Sequence, residues 1–195
     1  MYFKINGKNV EIRKANTEDA HSYYSLLKEL RHDPLSFILV NYRKTMPEYG
    51  EIEKLAENWN KYPRFMHFAV DPDVIGFVGT VVGPEYGPEI QPHIAEIFYG
   101  ISSRYRHNGL IYAILYAALN DIDVKYITAT VFVENAASVH VLENMGMKNI
   151  ARLEENDLHS RSGCFHDDYL FRGLRSVALK NLYEKFVQHG ISLVE

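Results

Sequence analysis

Hydrophobic positions along the chain recur with two periods, and the switches between them mark its elements. NVEIRKA (9–15) alternates and predicts a strand. Asn16 or Thr17 can cap a following helix whose first turn carries Glu18 and Asp19, as the helix dipole favours. Ala20, Tyr23, Leu27 and Leu30 share one face of that helix, and Pro34 ends it. A second helix is expected from near Pro47 to about Lys61. RFMHFAV and VIGFVGTVV flank the turn formers DPD, the pattern of an antiparallel hairpin, and HIAEIFYGIS (93–102) is a third β-branched run. The next helix places Leu110, Ile111, Ile114, Leu115, Ala118 and Leu119 on one side, with Tyr112, Tyr116 and Asn120 on another. YITATVFV (126–133) reads as a strand, and ENAASVHVLENMGM as a short helix with Asn135 at its start and Gly146 in the C′ position. KNIARLEE and FHDDYLF are strand candidates, LRSVALKNLYEKFVQ is helical, and ISLV is a candidate terminal strand.

The run 93–102, the helix after it and 126–133 form a βαβ crossover, so those two strands should be parallel. The other elements predict a mixed α/β fold: a mostly antiparallel sheet with helices on both faces. Neither a repeat nor a Gly/Ser/Pro-rich linker divides the chain. Residues 1–171 are expected to form one domain. Residues 172–195 would be a helical appendage whose stripe Leu174, Ala178, Leu182 and Phe186 packs on that domain or on a second copy in a homodimer.

Composition narrows the partners. The chain is 47% hydrophobic and 24% charged, ordinary for a globular protein. Its formal net charge of -4 argues against nucleic acid and is mildly compatible with a cationic substrate. The single cysteine, Cys164, excludes an intramolecular disulfide and a cysteine-rich zinc site. Cys164, His166 and Asp168 alternate onto one side of a strand with Asp167 between them, but no histidine pair at ligand spacing accompanies them; a polar or acceptor-lining face is expected there instead of a metal. No apolar run has signal-peptide or membrane-spanning length, so a cytoplasmic location is expected.

Two stretches carry chemistry. In RYRHNGLI (104–111), a strand gives way to a helix with Arg106, His107, Asn108, Gly109, Leu110 and Ile111 at the junction. Free N–H groups at a helix start hold anions, and glycine permits the tight turn. In NAASVHVLENMGM (135–147), Asn135, Ser138, Glu143 and Gly146 stand at fixed spacing about 26 residues further on. Taken with the element order over residues 9–171, the two stretches resemble the GNAT superfamily of acyl-CoA-dependent N-acyltransferases. The first corresponds to that family's pyrophosphate loop, Gln/Arg-x-x-Gly-x-Gly/Ala, with Ile111 departing at the last place. The second corresponds to its Asn-x-x-Ser/Ala helix ending in Gly-Phe, with Met147 for the phenylalanine. The polar residues of the strand 165–171 look most like the branch that acetylates ribosomal-protein and other protein N-termini.

The resemblance implies a transferase that moves an acetyl group from acetyl-CoA to a primary amine of a small molecule or protein. A GNAT-fold module that binds acyl-CoA with weakened turnover is the alternative. It implies that pantetheine pairs with the strand edge near Ile101, Ser102 and Ser103, that residues 106–111 take the diphosphate, and that the amide of Asn135 contacts the arm. Glu96, mid-strand in AEIFYG, matches a position where many members carry a catalytic glutamate. The family's acid tyrosine falls on Leu142, which leaves Tyr99 or Tyr112 as replacements. Tyr42, Tyr49, Trp59 and Tyr62 lie where such proteins shape their acceptor site, but core or cover packing is the expected use for most of them.

Overall fold

The computed structural model describes residues 1–33, 46–83, 92–159 and 162–194. Asn6 and Gly7 both adopt positive φ, 50° and 82°, and fold β1 (Tyr2–Ile5) onto β2 (Lys8–Lys14) as a tight hairpin. Asn16 caps a 3-10 turn by accepting from the Asp19 N–H, and α1 (Ala20–His32) follows with Ala20, Tyr23, Leu26, Leu27 and Leu30 buried. α2 is Tyr49–Ala56, shorter than the expected span to Lys61. Glu48 and Glu51 close a capping box at its start, and beyond Glu57 the chain turns so that Trp59 packs against Tyr23 and Phe68. Pro34 and Tyr42 lie outside the described residues.

The remaining elements are β3 (Arg64–Val70), β4 (Val74–Val82), β5 (Ile94–Ile101), α3 (Leu110–Asn120), β6 (Tyr126–Phe132), α4 (Ala136–Asn144), β7 (Lys148–His159), β8 (Cys164–Leu174), α5 (Arg175–Gln188) and β9 (Ser192–Val194). The strands form one sheet in the order β7-β8-β6-β5-β4-β3-β2-β1-β9, in which β5 and β6 are the parallel pair and all other neighbours are antiparallel. This is the mixed, mostly antiparallel α/β fold expected, widened at one edge by β1 and β9.

Each sheet face has its own core. α3 lies on one face with Ala95, Ile97, Ile127 and Ala129, and α1 and α2 lie on the other with Phe68 and Phe77. α3 is buried on nearly every side, Tyr112 included, because α5 covers the flank away from the sheet. Ala178, Leu182 and Phe186 pack into that core, whereas Leu174 is 40% exposed and takes no part. Among the described residues no helix is long and apolar enough to cross a membrane.

Candidate active site

The parallel ladder between β5 and β6 is short. Ile94 pairs with Tyr126, Ala95 with Ile127 and Glu96 with Thr128, and there the pairing stops although β5 runs on to Ile101 and β6 to Phe132. The strands fork at Glu96. On the α3 side of the fork lies a cavity of about 590 Å³ lined by Tyr99, Gly100 and Ile101 of β5, the loop 105–107, the start of α3, Asn135 to Ser138, and His189. Antiparallel pairing holds the other edge of β5 to β4 throughout, so its free edge faces the gap.

At the mouth, residues 103–105 form a 3-10 turn and His107 and Gly109 take positive φ of 62° and 81° before α3 begins. The N–H groups of His107, Asn108, Gly109 and Ile111 donate to no acceptor in the described protein, while that of Leu110 donates to the Asn108 Oδ1 at 3.1 Å. Four unsatisfied donors around a glycine turn at a helix start make a cradle for an anion such as a diphosphate. Asn108 thus serves the helix start and does not line the cavity; Arg106, His107, Gly109, Leu110 and Ile111 do. The Arg106 guanidinium is already paired with Asp33. Across the cavity, Asn135 caps α4 by accepting from the Ser138 N–H at 3.2 Å and lines the wall.

Ser102 and Ser103 are placed differently from expectation. The strand ends at Ile101, and Glu29 of α1 gathers the next residues: its carboxylate accepts from the Ser102 hydroxyl at 2.9 Å, the Ser103 N–H at 2.8 Å and the Ser103 hydroxyl at 2.8 Å. The Ser102 N–H is taken by the Ile75 carbonyl. Neither serine reaches the cavity or has an amide left for a pantetheine arm. Burial pushes the Glu29 carboxyl up, but the bonds from Ser103 and Ser102 and the charge of Arg104 outweigh it and hold the group below its ordinary value. Glu29 therefore stays ionised and fastens the end of β5 to α1.

The opposite face of the fork carries the acid chemistry. A side chain at Gly100 would meet Phe77 and Leu30 on the α1 side; by alternation Glu96 and Phe98 point that way, while Tyr99 points toward α3. Glu96 is half-buried, and its carboxyl is raised above the ordinary value, first by burial and then by the negative charge of Asp157. Thr128, opposite Glu96 in the ladder, has a buried hydroxyl without a hydrogen-bond partner among the described residues. Further along this face Asp168 is 1% exposed, and its carboxyl is pushed up to about 6, chiefly by burial, with Asp157 and Glu134 adding to it. Phe98, 43% exposed on the same face of β5 as Glu96, stands edge-on to Phe77. Glu96 does not line the α3-side cavity; it stands at the vertex between the two faces.

The Tyr99 hydroxyl donates to the Ser138 carbonyl at 3.3 Å inside the cavity, and burial raises its pKa, so it stays protonated. The Tyr112 hydroxyl accepts from the Asn144 amide at 2.9 Å. Leu142 is 1% exposed in the core and offers no acid. Of the aromatics named from the sequence, Trp59 is core, Tyr49 packs on His21 and Tyr24, and Tyr62 is exposed. Two features escaped sequence reasoning. Glu29 of α1 and Asp33 just after it engage the loop from more than 70 residues earlier, and His189 enters the cavity wall from the far end of the chain.

A sheet forked between parallel strands, with free amides at the mouth of the fork and a carboxylate at its vertex, has room and donors for an extended, anionic ligand. Residues 9–148 match the acetyltransferase (GNAT) domain model, and the chain belongs to that family. No curated protein matches the sequence. Among solved structures, ribosomal-protein-alanine N-acetyltransferase from Brucella melitensis aligns over 84% of this chain and 99% of its own at 18% identity and a TM-score of 0.71. A spermidine N-acetyltransferase chimera from Vibrio cholerae and hSSAT covers 87% of this chain and 98% of its own at 20% identity and a TM-score of 0.69. A putative acetyltransferase from Salmonella typhimurium, solved with its cofactor acetyl-CoA, covers 86% and 95% at 13% identity and a TM-score of 0.71. The protein is an acyl-CoA-dependent N-acyltransferase with acetyl-CoA as its acyl donor.

Proposed function

We propose that the protein acetylates a cationic primary amine, of a small molecule or a protein, that enters on the Glu96 and Phe98 face while acetyl-CoA lies in the fork on the α3 side. The observation that carries this is the parting of β5 and β6 immediately after Glu96, which leaves one carboxylate at the meeting point of two open faces. Acetyl-CoA supplies a thioester carbonyl and a thiol leaving group. Four free loop amides suit its diphosphate, the unpaired β5 edge from Ile97 to Ile101 suits its amide-bearing arm, and Asn135 stands across from both. Glu96 takes the proton of the ammonium, directly or through a water beside Thr128, so that the amine attacks as the free base. A β5 N–H beyond the fork polarises the carbonyl. Tyr99, kept protonated by burial, donates to the departing sulfur.

Support for a cationic acceptor comes from Glu96 and the negative charge of Asp157 that acts on it, opposite in sign to an ammonium. The two named relatives act, by their names, on a ribosomal-protein alanine and on spermidine, both amine-bearing. A cytoplasmic location suits the lone exposed thiol of Cys164, which stays reduced there.

Thiol release from acetyl-CoA across a panel of amines and peptides tests the assignment. Glu96→Gln is expected to cut turnover by roughly 10²-fold or more with CoA affinity little changed, within the range for a general base. A pH–rate profile in that variant identical to wild type would remove Glu96 from the base role. Tight CoA binding with no thiol release for any amine would point to the binding module instead.

A further inference from the structure

We propose that His189 is a phosphate-binding residue of the cofactor site, its imidazole N–H donating to a phosphate oxygen of coenzyme A. The inference rests on the assignment of the forked cavity to the cofactor and adds a residue supplied from beyond position 148, where the family match ends.

The placement of His189 follows from what fixes the chain on either side of it. Ala178, Leu182 and Phe186 bury α5 against α3, and the Phe186 ring stands edge-on to Phe3 at 5.5 Å. The helix then closes on itself: the Gly190 N–H donates to the Val187 carbonyl at 2.9 Å with Gly190 at a φ of 73°, and the Ile191 N–H donates to the Phe186 carbonyl at 3.0 Å. β9 immediately pairs with β1. His189 is thus pinned between a core helix and a sheet strand, although its side chain is exposed.

That side chain is laid over the anion cradle. Its ring lies 5.6 Å from the Tyr112 ring at 31°, and a Cβ placed on Gly109 would come within 2.6 Å of the His189 Cβ and Cγ. It therefore borders the glycine whose own N–H, with those of His107, Asn108 and Ile111, is free. A diphosphate drawn to these amides needs further donors for its remaining oxygens. Arg106, the arginine of the loop, is engaged by Asp33. His189 is held by no hydrogen bond from its ring to the described protein, faces the cavity, and comes from an element that cannot withdraw without opening the core.

The test measures binding by calorimetry on the full-length chain, with wild type, His189→Ala and His189→Gln, and with CoA, dephospho-CoA and pantetheine as ligands. His189→Ala should weaken CoA by roughly tenfold, the equivalent of one charge-assisted hydrogen bond, and leave pantetheine, which has no phosphate, unchanged. An equal loss for dephospho-CoA places the contact on the diphosphate; a loss confined to CoA places it on the 3′-phosphate. His189→Gln retains an N–H donor and should recover part of the affinity, and it carries the test if the alanine variant melts early. Unchanged CoA affinity in both variants, or an equal loss for pantetheine, would overturn the proposal. Wild type that binds no CoA at all would instead overturn the cofactor assignment beneath it.

Discussion

Replacing Asp168 by asparagine should make the protein more stable at neutral and alkaline pH and leave it unchanged near pH 4. Asp168 is almost completely buried; its Oδ2 accepts from the Asn156 amide at 2.8 Å, its Oδ1 has no hydrogen-bond partner among the described residues, and Asp157 and Glu134 add negative charge nearby. The folded carboxyl is pushed up to about 6, whereas an unfolded aspartate titrates near 3.9. Between those values the native chain holds a proton that the unfolded chain has released, so stability falls as pH rises through the window and is level above it. A shift of about two units at 1.36 kcal/mol each is worth roughly 3 kcal/mol as an order of magnitude. Asparagine has the same shape, keeps an acceptor for Asn156 and never ionises. The difference between variant and wild type should therefore grow from about zero at pH 4 to on the order of 2–3 kcal/mol at pH 8. For a chain of this size that corresponds to roughly 4–12 °C in Tm. Thermal and urea melts of both proteins at one-unit pH steps measure it. A difference that does not vary with pH, or a variant less stable than wild type at pH 8, would refute the account of Asp168 as a carboxyl raised by burial.

Two further outcomes concern the cofactor side. Gly109→Val imposes a β-branched residue on a φ of 81° and drives its Cβ toward His189; the left-handed backbone alone costs about 1–2 kcal/mol. CoA affinity should drop by at least roughly tenfold. Equilibrium binding on a variant shown by circular dichroism to be folded checks this, and tight binding would mean that the phosphates sit elsewhere. Tyr99→Phe should lower turnover by about tenfold without weakening CoA binding, a modest effect because a thiol with a pKa near 8.5 departs readily even unassisted. Stopped-flow thiol release at saturating acetyl-CoA measures it; unaltered turnover would assign the Tyr99 hydroxyl to holding Ser138 alone.

What the sequence disclosed follows the range of the interactions involved. The apolar face of α1, the β-branched run of β6 and the cap at Asn135 are local patterns, and each sits where its spacing places it. The hairpin of β1 and β2 carries a local signal too: Asn6-Gly7 between alternating residues is a strong turn former. α2 stops at Ala56 because tertiary packing of Trp59 overrides a helical pattern. The loop residues were identifiable by motif, but their partners were not. Ser103 and Glu29 are 74 positions apart, and Arg106 meets Asp33 only because the sheet order brings the end of α1 beside the end of β5. Gly109 could be justified from the sequence by its turn alone; its second reason, His189, comes from the last helix to be laid down.

On the roles proposed for Glu96 and Tyr99, the fork lets a chain without the family's tyrosine at Leu142 keep its acid and base apart. Adjacent residues of a strand face opposite ways, so a base and a proton donor three positions apart on β5, Glu96 and Tyr99, necessarily occupy different sides of the sheet. Glu96 stands on the side crowded with carboxylates, where its raised pKa comes from burial and Asp157. Tyr99 stands on the side of the amide cradle, its hydroxyl kept protonated by burial. Were the ladder continuous past Thr128, the two would be separated by hydrogen-bonded backbone and nothing could pass between them. Because it stops there, the proposed reaction has a path from an amine deprotonated on one face to a thioester held on the other. The distinction between the faces also makes the two groups separable by experiment. Acceptor charge and pH should act through Glu96, and cofactor phosphates through the loop and His189, with little cross-talk between the two sets of variants.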